Sequence, residues 1–408
     1  MIPFCRPSVT ELEKNYMFEA AQGKLCGDGP YTAKATELFR ERQGLSNALL
    51  TSSGTHALEL AALLCDLQPG DEVILPSFTF SSTANAFLLR GAKLVFCEID
   101  PRTMNMDPAC AASLVTSRTK VLAPIDYAGV PCDIDAFRTI ADKTGAVIVQ
   151  DAAQGVGSRY KGRGCGVDAD FACYSFHETK NYVMGEGGAI TFKNEKDLRT
   201  AEIVREKGTD RSKFYRGEVD KYSWQRSGSS YLPSDILAAL LYGQLQRFDE
   251  IMDSRMHVWN TYHACFEALE KEGLFARPYI PEYAEHNAHC YFLILPSGED
   301  RNRMLDYLRA QGVGAVFHYI PLHSAPCGVA QGYRAEDLPL TEEYAARLIR
   351  LPLFSNMSEE DLAHIVNAVA SFFGRVSTAL SAIRTQIKRY KISVLFETID
   401  LFIQKIPH

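Results

Sequence analysis

Long apolar runs are missing from this sequence. No stretch reaches the roughly 18 residues that a membrane-spanning helix needs, so no transmembrane segment is expected. The first residues, Met1-Ile2-Pro3-Phe4-Cys5-Arg6-Pro7, lack the basic-then-apolar order of a secretory leader, and none is expected. Excess positive charge is missing too. Lys and Arg number 43 against 50 Asp and Glu, a net charge of -7, which argues against a general nucleic-acid binder while leaving room for a local basic pocket. The 11 cysteines are odd in number and show no metal-type spacing, so neither a metal site nor a disulfide framework is expected. Scattered core cysteines fit a reducing compartment, and the expected location is the cytoplasm. Internal repeats and low-complexity tracts are also lacking.

What is present is an ordinary globular composition, 46% hydrophobic and 23% charged, over 408 residues, enough for two domains. Short apolar runs at 72–75, 93–99, 120–125, 146–150, 171–176 and 189–192 have the character of strands buried on both faces. Helical patterns over 55–67 and 134–144 alternate with them. This alternation predicts an α/β fold on a mostly parallel sheet, with sites at the carboxyl ends of its strands. A long polar helix is expected near 240–255. Strands at 289–295 and 314–319 would then build a smaller α+β unit, followed by a helix capped by Ser358 and ending near Gly374. The expected domains are 1–245, 246–374 and a basic extension, 375–408. In that extension Ile383, Ile387, Tyr390, Val394 and Leu395 fall at helical spacing among Arg384, Lys388, Arg389 and Lys391. Packing on its own domain or on a partner is the expected role of this helix, rather than membrane contact.

Lys180 stands between the apolar run that ends at Phe176 and the glycine-rich Gly185-Glu186-Gly187-Gly188. From there its amine can project into a cleft. Asp151 closes another apolar run, Ala146 to Gln150. A lysine able to form a Schiff base and a carboxylate able to hold a pyridinium nitrogen are what pyridoxal phosphate (PLP) requires of a protein. About 4 Å from the ring nitrogen, a carboxylate contributes roughly 4 kcal/mol at an effective dielectric near 20. Asp151 alone also reads as a helix N-cap. Thr51-Ser52-Ser53-Gly54-Thr55-His56-Ala57 turns into a helix whose amides and dipole suit a phosphate. Phe80 can stack on a cofactor ring or belong to the core.

These residues resemble the DegT/DnrJ/EryC1 family of sugar aminotransferases, within fold type I of the PLP enzymes. The motifs that carry the resemblance are Asp151-Ala152-Ala153-Gln154 and Ser175-Phe176-His177-Glu178-Thr179-Lys180-Asn181, and the similarity spans about residues 2–374. It implies that Lys180 holds PLP as a Schiff base, Asp151 pairs with the ring nitrogen and Gln154 bonds near the ring hydroxyl. Gly54, Thr55, His56 and Ser175 would hold the phosphate, and Phe80 would stack on the ring. It also implies a homodimer with shared sites. Ser230 takes the place of a family asparagine that reaches the phosphate of the neighbouring subunit's cofactor, and Trp224, Tyr231 and the helix at 234–246 are the interface candidates. Tyr182, His318, Tyr319 and His323 are candidate sugar contacts. Each reads equally as a structural residue, and His177 as an organiser of the lysine loop.

Narrower motifs at 24–29, 176–181, 205–209, 228–232 and 317–323 resemble the branch that aminates dTDP-4-dehydro-6-deoxyglucose with L-glutamate. The alternatives are a transaminase for a 3-keto sugar, a UDP-linked sugar or a cyclitol, and a PLP-binding regulator without turnover. A dehydratase branch has histidine in place of the lysine, which Lys180 argues against.

Overall fold

The structure, a computed structural model, describes residues 1–375. The amphipathic helix expected in the extension therefore lies outside the described residues. Among the described residues, no helix is long and apolar enough to cross a membrane.

Seven strands form the main sheet: β1 (Leu49–Thr51), β2 (Glu72–Pro76), β3 (Lys93–Cys97), β4 (Thr119–Leu122), β5 (Val147–Asp151), β6 (Phe171–Ser175) and β7 (Gly188–Phe192). Their order across the sheet is β1-β7-β6-β5-β4-β2-β3. Pairing is parallel from β3 through β6, while β7 runs antiparallel to both neighbours. This is the mostly parallel α/β architecture that the apolar runs predict.

Alternate side chains explain why these runs carry no polar face. Ile74, Leu122, Ile148 and Ala172 point into one core; Val73, Leu75, Val121, Val149 and Cys173 point into the core on the other side. Successive strand residues face opposite ways, so a sheet covered on both sides needs apolar residues at every position. Burying each large aliphatic side chain contributes about 1.5–3 kcal/mol. Helices α1 (Glu11–Ala21), α2 (Pro30–Gln43), α3 (Gly54–Leu64) and α4 (Ser81–Leu88) belong to this part of the chain.

The long polar helix expected over 240–255 is in fact two helices, Asp235–Gln246 and Phe248–Cys265. The first is apolar and buried, with Ala238, Ala239 and Leu241 in the core. The chain breaks at Arg247 (φ -96°, ψ 23°). Its guanidinium bonds Glu13 Oε1 and Glu250 Oε1, each at 2.7 Å, and fixes the corner against α1.

Beyond the corner lies a second core, which includes Val258, Tyr262, Leu293, Leu308, Ile349 and Val366. It covers a two-stranded antiparallel sheet of β8 (Tyr291–Ile294) and β9 (Leu348–Leu351). The strand expected at 314–319 is reduced to one bridge, Val316 with Arg350. Past it the chain leaves the sheet, and Phe317 and Ile320 stand 51% and 64% exposed rather than alternating into a core.

Of the interface candidates, Tyr231 is buried in this chain's own core and donates to Glu59 Oε2 at 3.2 Å, and helix Asp235–Gln246 packs on α1 and α2. Trp224, by contrast, is 78% exposed.

Candidate active site

Strands β1, β5 and β6 end at Thr51, Asp151 and Ser175, and Asp151 and Ser175 open onto one cleft of about 760 Å³. Lys180 enters this cleft from the β6–β7 connection. That loop is tied by Glu178 N to Gly185 O (2.9 Å), Lys180 N to His177 O (2.9 Å) and Met184 N to Phe176 O (2.7 Å). Gly185 adopts φ 78°, a left-handed turn that favours glycine. Asn181, beside the lysine, donates to Asn287 O at 2.7 Å and meets His289 Nδ1 at 3.0 Å, so the loop is clamped to the second core. His177 Nδ1 lies 2.9 Å from Thr179 Oγ1, an arrangement that orders the loop.

Asp151 is buried. Its Oδ2 accepts from Thr83 Oγ1 at 2.6 Å and its Oδ1 from Ala153 N at 3.0 Å. No helix opens at 152–154, so the capping alternative gives way to a carboxylate held at a strand end. Burial raises its pKa, opposed by the Thr83 and Ala153 hydrogen bonds and by Lys180. Burial lowers the Lys180 amine to about 8, with Asp151 pulling it up and Arg350 pushing it further down. A neutral, nucleophilic amine is thus within reach near neutral pH. Lys180 itself is only half-buried, because its tip faces the open cleft.

The segment expected to seat a phosphate is the start of α3. Ser53 Oγ caps the helix by accepting from His56 N at 3.0 Å, and Gly54 and Thr55 supply first-turn amides that have no acceptor within the helix itself. Thr55 Oγ1 bonds Ser82 Oγ at 2.7 Å. A side chain at Gly54 would bring its Cβ to 2.9 Å from Ser175 Cβ, so only glycine keeps this cradle open.

Gly54, Thr55, Phe80, Asp151, Gln154, Ser175, Lys180, His318 and Tyr319 all line the one cleft. Phe80 is 59% exposed, which rules out its core alternative. Gln154 accepts from Ala128 N at 2.7 Å and donates to Tyr319 Oη at 3.1 Å. His318 Nδ1 meets Tyr127 Oη at 3.1 Å.

Four of the expected residues lie elsewhere. Tyr182 is buried, stacked on Phe248 at 4.4 Å, and donates to Phe248 O at 3.1 Å. His323 is wholly buried, with Nδ1 at 2.6 Å from Ser77 Oγ and Nε2 at 3.4 Å from Glu342 Oε1. His56 donates its amide to the Ser53 cap, and its Nδ1 lies 2.7 Å from Ser52 Oγ. Ser230 lies in a separate cleft of about 270 Å³ with Lys24, Glu206 and Arg211.

The structure also places in the cleft residues that the sequence reading passed over: Ser82, His289 and Arg350. Arg350 had a signal, a single charge inside the apolar run Leu348-Ile349-Arg350-Leu351.

An amine poised for imine formation, an anion for a ring nitrogen and a glycine-opened phosphate seat suit PLP, and the sheet beneath them is that of the fold type I PLP transferases. Residues 7–370 match the DegT/DnrJ/EryC1/StrS aminotransferase family, and the chain belongs to it. Spore coat polysaccharide biosynthesis protein SpsC of Bacillus subtilis is 31% identical over 90% of this chain and 96% of its own length. An uncharacterized protein of Methanocaldococcus jannaschii is 33% identical, again over 90% and 96%. Among solved structures, the PLP form of the putative sugar aminotransferase Spr1654 from Streptococcus pneumoniae superposes with a TM-score of 0.84. It is 26% identical, covering 93% of this chain and 99% of that one.

Proposed function

We propose that this enzyme moves the amino group of L-glutamate to dTDP-4-dehydro-6-deoxy-D-glucose, giving dTDP-4-amino-4,6-dideoxy-D-galactose and 2-oxoglutarate. The product would serve a cell-surface polysaccharide such as enterobacterial common antigen, and the reaction would run in the cytoplasm. The observation that carries the chemistry is the placement of Lys180 and Asp151 in one cleft. Family membership and the polysaccharide role in the name of SpsC support the sugar reading.

Bound PLP supplies an aldehyde for imine formation and a ring that draws electrons from the carbon losing its proton. Lys180 is the attachment point and, once released, the proton carrier: its Nζ takes the proton from the donor's α-carbon. In the second half it gives one to the sugar carbon that receives the amine. Asp151, ionised and fixed by Thr83, holds the ring nitrogen protonated. Gly54, Thr55 and Ser175 seat the phosphate, Phe80 covers the ring, and His318 and Tyr319 face the sugar. Ser230 belongs, in this reading, to the neighbouring subunit's site, and the homodimer is the working unit.

The test is direct. Purified enzyme with PLP, L-glutamate and the 4-keto sugar should release an amino sugar whose NMR spectrum shows an axial amine at carbon 4. An equatorial amine would change the product. No amino sugar, with the glutamate half-reaction intact, would move the substrate to another keto sugar or a cyclitol.

A further inference from the structure

Ala288 holds a left-handed backbone, φ 50°, that a residue with a Cβ rarely adopts. Two clamps keep it there. Buried Arg255 donates to Ala288 O from Nε at 3.2 Å and from Nη2 at 3.1 Å, and to His289 O from Nη2 at 2.7 Å. Asn287 Nδ2 donates to Gln154 O at 2.7 Å and Val156 O at 2.8 Å, which ties the same turn to the segment after β5. Such strain persists only where the surroundings over-determine it, and here it sets the His289 ring in the cleft wall.

The tautomer of that ring is fixed as well. Asn181 Nδ2 donates to Asn287 O at 2.7 Å, and a carbonyl can only accept, so the amide cannot be turned over. Asn181 Oδ1 therefore meets His289 Nδ1 at 3.0 Å as the acceptor, and Nδ1 carries the proton. Nε2 is left bare, with no hydrogen-bond partner among the described residues. Burial and the charges of Lys180, Arg255 and Arg350 hold the imidazole well below the usual histidine pKa, so it stays neutral near neutral pH. Lys180 lines the same cleft and directly precedes Asn181 in the chain. Its amine likewise has no hydrogen-bond partner among the described residues. The cleft thus holds an acceptor without a donor and a donor without an acceptor.

We propose that His289 positions the catalytic lysine: its bare Nε2 accepts a hydrogen bond from the released Lys180 amine and aims that amine at the carbon that loses or gains the proton. This rests on the aminotransferase reading above. One N–H of the amine goes to Nε2, which leaves the lone pair, or the carried proton, directed at the substrate. The imidazole itself gains no proton.

Nitrogen NMR of the histidine-labelled, cofactor-free protein reads the tautomer. His289 should show a protonated Nδ1 and a bare Nε2, and the Nε2 signal should shift in Lys180→Ala, which removes its donor. On holoenzyme, single-turnover absorbance with L-glutamate compares two variants. His289→Asn keeps a donor for Asn181 but offers no second nitrogen, whereas the longer amide of His289→Gln can place an oxygen near the position of Nε2. Removal of the α-proton should slow roughly 100-fold in His289→Asn, the scale of a ~1 Å misplacement, and only roughly 10-fold in His289→Gln. Half-saturation by glutamate should stay within about twofold, and the isotope effect with α-deuterated glutamate should rise in His289→Asn. A protonated Nε2, an Nε2 signal indifferent to Lys180→Ala, or proton removal unchanged in His289→Asn overturns the inference. So does weakened half-saturation at an unchanged rate, which would make His289 a substrate contact. A wild-type enzyme that shows no spectral change with any amino acid defeats the aminotransferase reading instead. The NMR shift then still decides whether His289 meets Lys180.

Discussion

Thr83 Oγ1 donates to Asp151 Oδ2 at 2.6 Å, joining the first turn of α4 to the end of β5. Burial alone favours the protonated acid, and this hydroxyl is the largest influence opposing it. The ionised form is the one that a ring nitrogen needs. Thr83→Val keeps the shape and removes the donor, so the carboxyl pKa should rise further. We expect PLP affinity to fall ~10-fold, in line with the loss of one hydrogen bond to a charged group. Activity is lost as pH falls through the Asp151 pKa, so the acid limb of the kcat/KM profile should move to higher pH. A PLP titration and that profile check both.

Lys180 gives the second expectation. With its amine lowered to about 8, the cofactor-free protein should capture PLP at a rate that rises with pH and reaches half its limit near pH 8. Below that pH the amine is protonated and cannot attack; above it the amine is neutral. A midpoint near that of a free lysine would mean the burial cause is misassigned. Lys180→Ala should retain non-covalent PLP yet lose multiple turnover by at least ~1000-fold, because one group serves as both attachment point and proton carrier.

The sheet was readable because a strand buried on both faces leaves an unbroken apolar run, as at Val147 to Val149 and Phe171 to Cys173. Asp151 was readable because it follows such a run directly, and Lys180 because it stands between the run that ends at Phe176 and the glycines at 185–188. The rest of the site depends on contacts distant in sequence. The Tyr182 hydroxyl finds its acceptor 66 residues away at Phe248, and His323 finds Ser77 at a separation of 246. A motif shows that such residues exist but not where their polar atoms go. Helix periodicity likewise continues through Arg247, where only the pairing with Glu13 reveals the corner.

At the expected phosphate seat, Gly54→Ala should cost both cofactor and stability. The new Cβ would meet Ser175 Cβ at 2.9 Å, where the neighbour cannot give way without moving the end of β6. We expect PLP to bind more than ~10-fold more weakly, and the strain to destabilise the cofactor-free protein by about 1–3 kcal/mol. Equilibrium dialysis with PLP measures the first, and denaturant unfolding of the cofactor-free protein the second.

Tyr182 stands two residues past Lys180, yet its ring is stacked on Phe248 at 4.4 Å and its hydroxyl is spent on Phe248 O at 3.1 Å. Its side chain does not line the cleft, so its contribution is to stability. Tyr182→Phe keeps the stacked ring and leaves one buried carbonyl without its donor, which costs about 1 kcal/mol. Denaturant unfolding of the cofactor-free protein should show that loss, while KM for the keto sugar stays within about twofold of wild type. A sugar KM raised tenfold with unchanged stability would return Tyr182 to the substrate site, and would mean that the loop carrying Lys180 turns over when the cofactor binds.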